Sequence, residues 1–226
     1  MHTMGATGGF PIDLILFGMI AAFLVLRLRG ILGKRQGFER PPEVRPGPDL
    51  RLVDDPSGPA PPQPVPTTTI RELPDPASPA GRALTAMQAV DSTFTPARFL
   101  DGAEGAFRMI VTAFAAGDRT TLRPLLSDDT YAAFDGAIAG REQAVETQRT
   151  EIHDIPSATI EQAEMRGGHA SITVAFVSDQ VNLTLDSDGK EVAGTDAVTE
   201  IRDTWTFERD LDSPDPTWRL VAARSA

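Results

Sequence analysis

The chain contains no cysteine, which removes disulfides and thiolate metal sites from consideration. Its three histidines, His2, His153 and His169, are too scattered for a multi-histidine zinc site, so neither metal nor cofactor is expected. Positive charge is also short. Lys and Arg number 21 against 32 Asp and Glu, a net charge of −11. The deficit is local: residues 1–95 hold nine of each sign, leaving twelve basic and twenty-three acidic residues in 96–226. That acidic half lacks the basic footprint of a nucleic-acid binder. It is equally unsuited to broad docking on anionic lipid, and its simplest role is solubility. No nucleophile elbow, phosphate-binding loop or metal-ligand spacing occurs.

Long apolar runs are also lacking, with one exception. Leu14 to Leu26, LILFGMIAAFLVL, holds thirteen residues without a charge, and Arg27, Arg29, Lys34 and Arg35 follow. A buried core helix is one reading, but the next stretch offers nothing to pack on. A cleaved signal peptide has a basic start and a small-residue cleavage site, and MHTMGATGGFPID has no Lys or Arg. The third reading is an uncleaved anchor. Phe10 to Leu28 has charges only near its ends, Asp13 and Arg27, and meets the ~17–25 residues of a spanning helix. Its apolar face would be Leu14, Ile15, Leu16, Phe17, Ile20, Phe23, Leu24 and Leu26, with Arg27 and Arg29 at the boundary. The positive-inside rule then expects a single-pass inner-membrane protein, N-terminus out, with the rest of the chain in the cytoplasm.

From Pro41 to Pro79 run thirteen of the nineteen prolines. This stretch has almost no apolar periodicity and is expected to be a disordered spacer with polyproline character, reaching about 35 Å as a coil or about 120 Å extended. The expected domains are an anchor at 1–35, a linker at 36–80 and a folded domain at 81–226.

Folded sequence opens with RALTAMQAVD, a short helix. Thr95-Pro96 gives a cap followed by proline at the first helical position. Phe99, Ala103, Phe107, Ile110 and Phe114 recur at three- and four-residue spacing, which predicts an amphipathic helix. Gly117-Asp118 ends it and caps RTTLRPLL. Ser127 caps a third long helix with Tyr131, Phe134, Ile138 and Val145 on its apolar face. After Glu146 the period becomes two. A strand from Arg149 to Met165 kinks near Pro156, and Gly167-Gly168 turns the chain. Ile172, Val174 and Phe176 then share one parity, while Val181, Leu183 and Leu185 share the other. That switch predicts a bulge at Ser178–Gln180. Asp188-Gly189 is a turn. Ile201, Asp203, Trp205 and Phe207 alternate with polar residues. A loop with Pro214 and Pro216 leads to Trp218, Leu220 and Val221. Helices followed by antiparallel strands make the class α+β, with helices on one sheet face.

FLDGAEGAFRMIVTAFAAGDRTTLRPLLSDDTYAAF, ITVAFVSDQVN and DTWTFERDLDSPDPTWRLVA together resemble the conserved domain of the Tim-type mitochondrial import-motor adaptors, over about residues 90–224. The leader and Pro-rich spacer are similar to the bacterial TimA-type adaptors with an N-terminal anchor. The resemblance implies a curved, cone-like antiparallel sheet of the nuclear-transport-factor-two-like kind, closed by helices around an apolar pocket that takes lipid or acyl chains. It implies an adaptor with a protein partner, such as a chaperone or translocation machinery. The mitochondrial proteins carry a charged helical segment where this chain has its anchor and spacer.

The pocket or ligand-binding candidates are Phe99, Phe107, Phe114, Tyr131, Trp205, Phe207 and Trp218; for most of them plain core packing is the competing reading. Cone folds also host enzymes, but fold alone does not license that. His153 and Asp154 are adjacent in a strand and point to opposite faces. His169 follows the glycine turn, where exposure is expected. Asp203 shares its parity with Trp205 and Phe207, so it is expected to be buried, either paired with a neighbouring Arg or capping a loop, or, as the alternative reading, as an acid in the pocket. No catalytic residue is assigned. The reading is a non-enzymatic membrane adaptor; the alternatives are an acyl-chain binder and, third, a cone-fold enzyme.

Overall fold

The structure is a computed structural model that describes residues 69–225. The apolar run at 14–26 and the Pro-rich stretch up to residue 68 lie outside the described residues. Four helices pack on one face of a five-stranded sheet. In chain order these are β1 (Ile70–Glu72), α1 (Pro79–Val90), α2 (Pro96–Ala116), α3 (Arg119–Leu125), α4 (Asp128–Gln143), β2 (Thr147–Arg166), β3 (His169–Leu185), β4 (Glu191–Asp210) and β5 (Arg219–Ser225). The sheet order is β1-β2-β3-β4-β5. The last four strands form an antiparallel meander, while β1 runs parallel to β2. The sheet is therefore mixed rather than antiparallel throughout. Among the described residues no helix is long and apolar enough to cross a membrane.

The helix boundaries follow their capping residues. Ser78, Thr95, Asp118 and Ser127 each accept a hydrogen bond from a backbone N–H in the first turn of α1, α2, α3 and α4, which satisfies one of the orphan donors there. Gly117 closes α2 in the left-handed region, φ 70°, a conformation glycine adopts without a Cβ penalty.

Phe99, Leu100, Ala103, Phe107 and Ile110 of α2 enter the core. They meet the inward residues of the strands: Ile172, Val174 and Phe176 of β3 with Trp205 and Phe207 of β4. Val145 departs from its expected place. It lies beyond the end of α4, at positive φ, and is 64% exposed. The helical spacing from Phe134 and Ile138 is completed by Arg141, which is buried.

The kink at Pro156 is present as a register shift between Asp154 and Ser157. Extra residues in β2 there and between Ile160 and Gln162 explain why its buried positions jump from Ile155 to Ala158 and from Ile160 to Ala163. The bulge expected at Ser178–Gln180 is not in β3. That strand runs on unbroken, and its neighbours bulge around it: β2 between Ile152 and Asp154, and β4 between Thr195 and Thr199. The parity change in β3 has another cause. Ser178 and Gln180 continue the inward face, while Val181 and Leu183 are buried apart from the main core. The inner face becomes polar just where the other face becomes apolar.

β1 was expected to be part of the disordered spacer. Three residues of mixed polarity among prolines carry no periodic signal, yet they form a strand on the edge of β2.

Candidate functional site

The aromatic residues named from the sequence come together, and they fill the space between helices and sheet. Phe107 stacks on Phe176 with ring centres 4.6 Å apart and lies 4.6 Å from Trp205. Phe99 meets Phe207 edge-on at 6.1 Å and Trp218 at 4.8 Å. Phe114 meets Phe134 at 4.9 Å. Such offset and edge-to-face contacts are those of a packed core. Of the seven, Tyr131 alone lines one of the clefts described below.

A polar strip that the sequence reading missed runs along the inner face where the aromatics stop. Arg141 of α4 donates to Gln148 Oε1 and to the carbonyl of Phe114, its guanidinium 4.5 Å above the Phe114 ring. Gln148 donates to Thr150, Thr150 to Asn182, Asn182 to Gln180, and Gln180 to Ser178. The chain of donors ends on the carbonyl of Ile201. Burial lowers the Arg141 pKa, though a guanidinium so basic remains charged. The available signal was the period itself: Gln148 and Thr150 alternate in β2, and Ser178, Gln180 and Asn182 in β3.

Asp203 is buried as expected, but its partner is a hydroxyl. Ser225, directly opposite in β5, donates to its Oδ1. Burial raises its pKa and the Ser225 hydrogen bond partly offsets this. His153 is exposed, 3.9 Å from Glu151. His169 is exposed at the start of β3. Among the described residues no group of His, Asp or Glu is placed to hold a metal ion.

The open surface feature is a groove where α3, α4 and β5 meet. Its floor is fixed by backbone bonds. Leu126 bridges Leu220, Ser127 N–H donates to the Leu220 carbonyl at 3.0 Å, and Thr130 Oγ1 donates to the Val221 carbonyl at 3.0 Å. One half, a cleft of about 590 Å³, is lined by Arg119, Arg123, Pro124, Leu126, Tyr131 and Arg219 among others. The adjoining half, about 330 Å³, includes His169, Glu208, Arg209, Asp210 and Asp215; Asp128 and Arg219 belong to both. The groove is thus basic at one end and acidic at the other.

Ion pairs hold its side chains in place. Arg119 is bidentate to Glu142 at 2.8 and 3.0 Å and also contacts Asp135, and these carboxylates raise its pKa. Arg123 pairs with Asp128 at 2.6 Å and lies 4.8 Å over the Tyr131 ring. Arg219 pairs with Asp215 at 3.1 Å. Hydrogen bonds from Thr217, then the charges of Arg219 and Arg209, lower the Asp215 pKa. These pairs are exposed or, at Arg119, half-buried, so each is weak and exchangeable. Carboxylates of a partner can replace those of the protein on the arginine forks. Four arginines, Arg119, Arg123, Arg209 and Arg219, on one groove are distinctive in a half of the chain with twenty-three acidic residues against twelve basic.

A family model described as the Tim44-like domain matches residues 80–225, which takes in all four helices and β2 to β5. No curated protein matches the sequence. Among solved structures, the intermembrane-space region of the chloroplast protein ARC6 is similar at 8% identity and TM-score 0.42, covering 56% of this chain and 95% of that one. An NTF2-like protein from Cytophaga hutchinsonii is similar at 14% identity and TM-score 0.33, covering 56% and 95%. A ketosteroid isomerase-like protein from Erwinia carotovora atroseptica is similar at 14% identity and TM-score 0.30, covering 56% and 93%.

Proposed function

This chain belongs to the Tim44-like domain family, and from that premise we propose that it is a non-enzymatic adaptor, held at the inner membrane by residues 10–28, whose domain docks a protein partner in the groove between α3, α4 and β5. The observation that carries the reading is the family match across residues 80–225. The groove is the surface that suits it. It offers guanidinium forks beside the ring of Tyr131 at one end and carboxylates at the other. It therefore suits a partner segment with acidic residues toward Arg119 and Arg123 and basic residues toward Asp210 and Asp215. The anchor and spacer supply the remaining part of the function. A tether of tens of ångströms keeps the domain at high local concentration beside membrane machinery.

The test is affinity isolation of the tagged full chain from solubilised membranes. One protein is expected to co-purify in near-stoichiometric amount with the wild type and to fall at least tenfold with Arg119→Glu/Arg123→Glu. Retention of the same protein by that variant would remove the groove from the function.

A further inference from the structure

The strand β1 lies ahead of residue 80, where the family match begins, yet it completes the sheet. Ile70, Arg71 and Glu72 stand opposite Ser157, Ala158 and Thr159 of β2 in parallel register. All three side chains are exposed, Ile70 to 61%, so burial in the core does not hold the strand in place. Backbone pairing and one side-chain clamp do. Arg71 Nη2 lies 3.0 Å from Asp101 Oδ1 and 2.9 Å from Glu104 Oε2. Asp101 and Glu104 are three residues apart in α2 and therefore share a helix face. Glu104 is the better shielded, and its Oε1 takes further contacts from Arg108 and Thr69 at 3.5 Å each. Two carboxylates beside the β2 edge read a guanidinium at a fixed point along an extended chain.

We propose that the β2 edge at Ser157–Thr159, with Asp101 and Glu104 beside it, is a docking site for an extended, arginine-bearing segment of a partner protein, and that residues 69–72 of this chain occupy the site in cis. Charge complementarity selects the occupant. The shortest side-chain contacts at the edge are a guanidinium on two carboxylates, and those carboxylates lie in residues 96–226, which carry the whole net charge of −11. The site is separate from the α3–α4–β5 groove and does not depend on what binds there. The cis segment is held nearby because the turn behind it is packed tightly onto α1: a Cβ on Gly81 would lie 2.1 Å from the Asp75 carbonyl oxygen. An incoming segment competes with this high local concentration. Three paired residues and one surface clamp leave β1 among the less secured elements, which allows the exchange.

The test uses the full chain in detergent and a fluorescent peptide TTTIRELP, the sequence of residues 67–74, followed by anisotropy. Arg71→Glu releases the cis strand and leaves Asp101, Glu104 and β2 intact. Ile70→Pro does the same by weakening the ladder. Both variants are expected to bind the peptide at least tenfold more tightly than the wild type. Adding Glu104→Arg to Arg71→Glu is expected to abolish the gain, as is replacing the peptide's arginine by alanine. Equal binding by the wild type and both single variants, or undiminished binding after Glu104→Arg, would overturn the proposal.

Discussion

Asp91 shows how much one carboxylate can organise. It sits in the turn between α1 and α2, where Oδ1 accepts from the backbone N–H and hydroxyl of Thr93 at 2.9 and 2.6 Å. Its Oδ2 takes Arg209 at 2.9 Å, which ties this turn to the end of β4. The Thr93 hydrogen bonds, then Arg209, lower its pKa from 3.8 to about 2. A lowered carboxylate pKa means stability that is present above 3.8 and lost as pH falls from 3.8 through about 2. Asp91→Ala should therefore cost about 1–3 kcal/mol at neutral pH, and its deficit should shrink below pH 4 when denaturant midpoints are compared. Asp203 has the opposite sign. Burial raises its pKa, so keeping it ionised opposes folding, and stability falls as pH rises above the usual carboxylate value of 3.8. Asp203→Asn should raise the melting temperature at neutral pH, with the gain fading toward acid. Its burial was legible from strand parity. Its Ser225 partner was not, because that pairing is set by the β4–β5 register.

Among the elements, α2 was legible because period, cap and stop agree: Thr95-Pro96, the Phe99–Phe107–Ile110 stripe and Gly117 all point to one helix. Its central residue, Phe107, is fully buried against Phe176 and Trp205. Phe107→Ala should cost about 3–5 kcal/mol in chemical denaturation, and a much smaller loss would indicate a loose interior. β3 was half legible. Its apolar parity switch is plain in the sequence, but a bulge in the strand and a polar patch on its inner face produce the same pattern. Only the pairing partners decide between them, and here they place the irregularities in β2 and β4. Val145 failed for a simpler reason: α4 ends at Gln143, before the period reaches it. β1 gave no signal, since its edge position depends on Arg71 meeting carboxylates some thirty residues away.

For the whole molecule, the resemblance carried by residues 90–224 and the family match at 80–225 agree, and the helices-then-strands order placed the helices on one sheet face. The groove was not legible, because it joins Arg119, Arg123 and Tyr131 of the neighbouring helices α3 and α4 to Arg219 of β5, which is distant in sequence and meets them only in the fold. The proposed tether requires the domain to face the compartment of its partner. A reporter fused after Lys34 should be active in the cytoplasm and silent in the periplasm, following the basic flank of residues 27–35. The most direct measurement places a photocrosslinking residue at Thr120, inside the groove, or at Glu200, exposed on β4, in the full chain within intact membranes. A discrete crosslinked protein from position 120, absent from position 200 and lost with Arg123→Glu, is the expected result. The same adduct from both positions, or an adduct at position 120 unaffected by Arg123→Glu, would contradict a partner docked in the groove.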